Sequence, residues 1–324
     1  MKIGIFGTGA YGLALCSVLC DNKHKVVMWT KFNEEKEELI NKRSNEKRLK
    51  GFKIPESVTI TSDIEECIKN SDLLIIAVPA AAVNSLSLEL KPFIDNNHIL
   101  IATKGIEQES GLFMNQIVEK HLNTKNIAVL SGPTFAVDLI SKMPVGLSVA
   151  SKRSETIILV RQALGNSYVK LRDTNDVIGV EICGSIKNVI ALASGMLEGM
   201  NANDSTKAML ITEAMHDIKE ILDSFNSKKS TVLSYAGLGD LILTCNSIKS
   251  RNYSFGKLIG TRPTKKEIKK YLENNTVEGF YTLESIYQLL KEKEVSIPII
   301  DLIYEIVVGG KSPKLLLDFL VVKP

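Results

Sequence analysis

Four groups of residues in this sequence have types and spacings suited to chemistry. Gly7-Thr8-Gly9-Ala10-Tyr11-Gly12 spells G-x-G-x-x-G. In that pattern the first glycine makes a tight turn, the second lets the backbone approach a pyrophosphate, and the third lets a helix pack closely on a strand. A helix opening at such a turn offers unpaired N–H groups and its positive dipole end to phosphate. Lys187 stands in an apolar stretch, and a partly desolvated lysine has a lowered pKa that lets it exchange protons near neutral pH. Asp240 and Thr244 are four residues apart, hence on one helical face, where the carboxylate can hold Lys187 or a substrate hydroxyl. Ser250-Arg251-Asn252 sets a guanidinium beside an amide, a pair suited to bidentate recognition of phosphate. Together these groups describe a dinucleotide-dependent oxidoreductase.

Such residues need elements to hold them. Strand-like runs fall at residues 2–6, 25–29, 73–78, 98–102, 127–130 and 146–149, with amphipathic stretches such as 11–19 and 113–121 among them. Near-continuous Val, Ile and Leu runs suit strands covered on both faces. Their alternation with helices is the βαβ pattern, with right-handed crossovers. Past Asp176 the periodicity becomes helical, over 177–200, 208–225, 265–274, 282–291 and 297–308, and Thr264 with Glu267 forms a capping box for the third. The predicted fold is α/β, an N-terminal Rossmann-type, mainly parallel sheet over residues 1–176 followed by an all-α domain over 177–324.

The glycine turn follows the first strand directly, the context that gives the motif its meaning. The second strand ordinarily ends in an acid that accepts from a ribose 2′-OH. Here it runs into Thr30 and Lys31; a lysine would suit a 2′-phosphate and favours NADP or dual use, so the expected cofactor is NADPH or NADH. Lys104 follows the apolar run 98–102 and is expected at a strand's C-terminal end, where open α/β sheets bind ligands.

Composition narrows the class. Forty Lys and Arg face 37 Asp and Glu, a balance unlike that of a nucleic-acid binder. The longest apolar candidate for a membrane span, residues 73–83, is short and broken by Pro79. The charge-rich stretches 33–50 and 265–270 read as solvated helix faces. Five cysteines without C-x-x-C spacing and four scattered histidines point to reduced thiols and no metal. With no charged-then-apolar leader at the start, a cytoplasmic enzyme is expected.

Several blocks also carry a family resemblance. Gly7–Gly12, Lys104-Gly105-Ile106-Glu107, Ser131-Gly132-Pro133-Thr134-Phe135-Ala136, Glu181–Asn188, Gly237-Leu238-Gly239-Asp240-Leu241, Thr244-Cys245, Ser250-Arg251-Asn252 and Val277-Glu278-Gly279 occur in that order. In order and spacing they resemble the bacterial NAD(P)-dependent sn-glycerol-3-phosphate dehydrogenases over nearly the whole chain. The resemblance implies reversible reduction of dihydroxyacetone phosphate to sn-glycerol 3-phosphate, the backbone precursor of phospholipids, in a homodimer formed through the helical half. A ketone accepting hydride develops negative charge on its oxygen and needs a positioned proton donor; by resemblance that donor is Lys187. The resemblance further assigns Lys104, Gly132, Thr134, Lys187, Asn188, Asp240, Thr244, Ser250, Arg251 and Asn252 to the substrate. Gly7, Gly9, Ala10, Tyr11, Gly12, Lys31, Lys104, Ala136, Arg251, Thr276 and Glu278 are assigned to the cofactor, with Glu278 reaching a ribose or Arg251. The expected geometry brings the Lys187 ammonium to the nicotinamide with the triose phosphate between them.

Two alternatives stand beside this reading. The 6-phosphogluconate and β-hydroxyacid dehydrogenases also place a lysine and an asparagine on an interdomain helix, and Gly184-x-x-Lys187-Asn188 satisfies that pattern. A non-catalytic NAD(P) sensor would keep the glycine turn but have no use for Lys187, Asp240 and Arg251 together.

Overall fold

A computed structural model describes residues 1–322, and its chain divides into two compact units, Met1–Lys104 with Met114–Val177, and Gly105–Phe113 with Ile178 onward. The first unit holds an eight-stranded sheet of β1 (Lys2–Phe6), β2 (Lys25–Trp29), β3 (Thr59–Thr61), β4 (Leu73–Ile76), β5 (Ile99–Ile101), β6 (Ile127–Ser131), β7 (Val145–Ser151) and β8 (Val169–Thr174). Its helices are α1 (Ala10–Asp21), α2 (Asn33–Lys42), α3 (Ile64–Ile68), α4 (Ala80–Leu90), α5 (Met114–His121), α6 (Ala136–Ile140) and α7 (Ser154–Leu164). The strand order is β3-β2-β1-β4-β5-β6-β7-β8, parallel throughout except between β6 and β7. β1 thus lies between β2 and β4, the point where an open sheet reverses its order and leaves a crevice for a ligand. The central strands are buried along almost their whole length, β4 and β5 at every residue. Ile3, Ile5, Leu13, Ile75, Leu100 and Leu130 lead the core of this unit.

Two strands escape the sequence patterns. β8 reads Val-Lys-Leu-Arg-Asp-Thr, with only Val169 and Leu171 buried, because an edge strand wets one face and alternates instead of forming an apolar run. β3, at the other edge, is three residues long and contains two threonines.

The second unit is built from α8 (Val177–Gly199), α9 (Asp204–Ser224), α10 (Asp240–Cys245), α11 (Arg251–Gly260), α12 (Lys265–Asn274), α13 (Glu278–Glu292), α14 (Pro298–Val307) and α15 (Leu315–Val322). The Thr264–Glu267 capping box is formed, with Glu267 Oε2 accepting from the Thr264 N–H at 2.8 Å. The segment Gly105–Phe113, expected to stay with the sheet, belongs to this unit; Ile106 bridges Phe113 and the Phe113 ring meets Phe225 edge-on at 5.6 Å. The helix expected over 177–200 is present as α8, and it, not residues 73–83, is the longest apolar element among the described residues. α8 has 23 residues, and its most apolar window is 94% buried, so the unit's own core accounts for its hydropathy.

α8 and α11 cross in backbone contact. A Cβ at Gly195 would lie 2.0 Å from Tyr253 O, one at Gly256 2.0 Å from Leu192 O, one at Gly199 2.2 Å from Lys257 O and one at Gly260 2.3 Å from Met196 O. Two G-x-x-x-G pairs therefore face each other and set the separation of the helices that carry Lys187 and Arg251-Asn252.

Candidate active site

In the sheet unit the glycine turn has the geometry its spacing predicts. Gly7 has φ +121°, and its N–H donates to Trp29 O at 3.0 Å. A Cβ there would sit 2.6 Å from Ala77 O, and one at Gly12 would sit 2.3 Å from Gly7 O; turn and helix are pressed together. Gly9 differs, since a Cβ there would meet no atom within 4 Å. Its glycine is therefore not demanded by the protein's own packing but leaves room for a ligand at the start of α1. Gly9 is the N-cap, and the helix has neither a side-chain cap bond nor an acid in its first turn, which keeps its N–H groups and positive field available to an anion. These features fit a dinucleotide pyrophosphate. Gly9→Ala should accordingly leave stability within about 1 kcal/mol while weakening NADH binding roughly tenfold or more, measured by nicotinamide fluorescence against thermal denaturation of the same protein.

Ala10 and Tyr11 open α1. The Tyr11 hydroxyl lies 3.0 Å from Thr134 Oγ1, so the turn and the Ser131–Ala136 block meet within the sheet unit. Lys104 Nζ donates to Gly132 O at 3.4 Å, placing this lysine, too, on that block. A Cβ at Gly132 would lie 2.8 Å from Gly146 O, which holds this loop tight to β7. Ala136 begins α6, partly buried against the sheet core. Lys31 follows β2 as expected and is ion-paired with Glu89 at 2.9 Å. The strand end nevertheless has an acid that the sequence reading missed, because Glu35 reaches back from the first turn of α2 to accept the Thr30 hydroxyl.

In the helical unit Lys187 Nζ donates to Asp240 Oδ1 at 2.5 Å, with side-chain exposures of 10% and 2%. Asp240 is the first residue of α10. The N-cap of α10 is Gly239, at the end of a π-turn, Tyr235–Gly239. π-turns are rare and gather at functional sites. This one is locked by Ser234 Oγ, which accepts from the Gly237 N–H at 3.2 Å, and by Gly237, whose added Cβ would lie 2.1 Å from Val232 O. Thr244 donates its hydroxyl to Asp240 O at 2.6 Å and lies 3.3 Å from Asp240 Oδ1, confirming the shared helical face. Buried charges are tolerated when paired and hydrogen-bonded in this way. Burial pushes the neighbouring Cys245 thiol well up, against a lowering contribution from Lys187, so Cys245 is no thiolate nucleophile.

A second network joins the remaining residues. Asn252 Nδ2 donates to Asn188 Oδ1 at 2.9 Å, and Asn252 Oδ1 accepts from the Gly279 N–H at 2.8 Å. Asn252 thereby ties α8, α11 and the start of α13. A Cβ at Gly279 would lie 2.4 Å from Asn188 O, so glycine is required for that approach. Ser250 is the N-cap of α11, accepting from the Tyr253 N–H at 3.2 Å. Arg251 is the first helical residue and exposed, Thr276 is exposed, and half-buried Glu278 opens α13 beside Gly279.

A glycine turn fitted to a pyrophosphate at the sheet's reversal point, with a buried lysine–aspartate pair in a helical unit, defines a dinucleotide-dependent dehydrogenase. The family models agree: that for the NAD-dependent glycerol-3-phosphate dehydrogenase N-terminus matches residues 2–157 and that for its C-terminus matches residues 176–318. The chain belongs to the NAD-dependent glycerol-3-phosphate dehydrogenase family, oxidoreductases whose cofactor is NAD(P)(H). Glycerol-3-phosphate dehydrogenase (NAD(P)+) of Agathobacter rectalis is 35% identical over 314 residues, 97% of this chain and 93% of that protein. The Fusobacterium nucleatum enzyme of the same name is 36% identical, covering 96% and 94%. A crystal structure of the Coxiella burnetii glycerol-3-phosphate dehydrogenase superposes with a TM-score of 0.93 at 28% identity, covering 99% of each chain. The hydroxyacid dehydrogenase alternative gives way to this match.

Proposed function

We propose that the chain reduces dihydroxyacetone phosphate reversibly to sn-glycerol 3-phosphate, with Lys187 as the proton donor in reduction and the acceptor in oxidation. The observation that carries this reading is the buried Lys187–Asp240 pair, an ammonium held ready by a carboxylate. When bound, NAD(P)H supplies the hydride that the ketone carbon receives. As charge develops on the ketone oxygen, Lys187 Nζ gives it a proton, and this stabilises the alkoxide that would otherwise form. Asp240 fixes the direction of the Nζ donors, while Thr244 holds Asp240 through its own hydroxyl. In oxidation the same amine, once neutral, takes the hydroxyl proton.

Arg251, exposed at the start of α11, presents a planar guanidinium for the substrate phosphate, with the helix N-terminus adding favourable field. Lys104, Gly132 and Thr134 are proposed for the substrate on the sheet side and Ala136 for the cofactor, with Asn188 and Asn252 held in register by their mutual bond. Thr276 and Glu278 are proposed as cofactor contacts. The product would feed glycerophospholipid synthesis in the cytoplasm. A homodimer through the helical unit would cover its exposed Val308, Leu315 and Val321, and sedimentation would read that state.

The test is loss of NADH or NADPH absorbance on adding dihydroxyacetone phosphate. Arg251→Ala should raise KM for the triose phosphate by roughly ten- to a hundredfold, the loss of a charge-assisted bidentate contact, with a smaller change in kcat. Equal use of unphosphorylated dihydroxyacetone by the unmodified enzyme would refute the phosphate assignment. Cofactor binding without turnover of any ketone would favour a sensor.

A further inference from the structure

The end of β2 carries a charge arrangement that its sequence alone does not reveal. Thr30, 2% exposed, is fixed there by its N–H, which donates to Thr61 O at 3.0 Å. Its hydroxyl donates to Glu35 Oε2, so a carboxylate from α2 is brought to the strand end. Glu35 stands in the first turn of α2 together with Glu34, where the helix field favours carboxylates. Lys31, the residue after Thr30, already has a carboxylate on it, Glu89 of α4 at 2.9 Å.

In a dinucleotide-binding sheet the end of the second strand lies beside the adenosine ribose, and an acid there accepts from the 2′-OH. Replacing that hydroxyl by a 2′-phosphate sets a doubly charged group against the acid. Glu35 and Glu89 would both oppose it, and Lys31 would have to leave Glu89 to compensate. The Lys31–Glu89 pair is 55% and 37% exposed, so it yields to solvent and to competing ions, whereas Glu35 is half-buried and anchored by Thr30.

We propose that this chain selects NADH over NADPH, with Glu35 as the carboxylate that accepts from the ribose 2′-OH and Glu89 as a second acid that opposes a 2′-phosphate. The proposal rests on the cofactor and ketone-reductase reading above and adds the coenzyme to it. Thr30 acts as a positioning residue, because it reaches the coenzyme only through Glu35.

The experiment compares NADH and NADPH in two ways on the full-length chain. One is the dissociation constant from nicotinamide fluorescence without substrate; the other is kcat/KM with dihydroxyacetone phosphate. The unmodified protein should favour NADH about tenfold or more. Glu35→Gln should shift the ratio about tenfold towards NADPH, by weakening NADH and strengthening NADPH together; Thr30→Val and Glu89→Gln should shift it the same way by less. Lys31→Ala should weaken NADPH more than NADH and so move the ratio further towards NADH. An unmodified ratio favouring NADPH would overturn the proposal. So would a Glu35→Gln protein in which both coenzymes weaken equally, since that would make Glu35 only a cap for α2. Because the binding arm needs no ketone, absence of turnover would count against the substrate reading while the binding ratio still decides the coenzyme.

Discussion

The Lys187→Met enzyme is expected to lose roughly 10²–10⁴ in kcat for dihydroxyacetone phosphate reduction while binding NADH as the unmodified enzyme does. Methionine fills much of the same volume, so what disappears is the proton at the ketone oxygen. The substitution also leaves Asp240, 1% exposed, as a buried carboxylate without its cation. Breaking one side of a buried pair costs about 3–5 kcal/mol, so stability should fall with activity and could by itself account for a poor enzyme. The double substitution Lys187→Met with Asp240→Leu separates the two effects. Replacing both charges by apolar groups of similar volume is often neutral or stabilising, and the double variant should recover most of the lost denaturation midpoint while staying catalytically dead. Full activity in either variant would remove Lys187 from the chemistry. Recovery of activity with stability would reduce the pair to a structural role.

The Lys187–Asp240 pair was legible because each partner sits in a distinctive local pattern: a lysine inside an apolar run, and an aspartate four residues before a threonine. The glycine turn was legible for the same reason, as each glycine answers a separate steric demand, and the structure shows two met by backbone and the third left open. Other features depend on contacts between distant segments, which leave no periodic trace. Glu35 is invisible as a ribose acid because it lies on a helix, beyond the strand end where the pattern looks for it, and only the Thr30 hydroxyl brings it back. The π-turn at Tyr235–Gly239 could not be read either; Gly237 and Gly239 signal a tight path, not an i→i+5 bond. Arg251 and Asn252 were legible as a guanidinium beside an amide, but their place at the opening of a helix rests on the Ser250 cap, which accepts from the Tyr253 N–H. The helix α8 was legible over 177–200, whereas the pairing of its Lys187 and Asn188 with Asp240 and Asn252 depends on contacts with distant segments.

The glycines of the α8–α11 crossing should be as critical to stability as Lys187 is to rate. Gly195→Ala and Gly256→Ala each place a Cβ 2.0 Å from a carbonyl oxygen of the opposite helix, and neither backbone can move without separating the helices. Each substitution is expected to cost roughly 3 kcal/mol, measured by chemical denaturation of the helical unit. Because α8 carries Asn188 and α11 carries Asn252, whose 2.9 Å bond spans the crossing, kcat/KM should fall with stability while NADH affinity at the glycine turn holds. The pair also makes a sharper claim about cause. Both Cβ atoms push the same two helices apart, so once one is present the second meets a gap already opened. The double variant should therefore cost clearly less than the sum of the singles, a coupling of the kind neighbouring sites show. Strictly additive losses would mean that each glycine satisfies a separate local constraint and that the crossing distance is fixed by something other than this four-glycine contact.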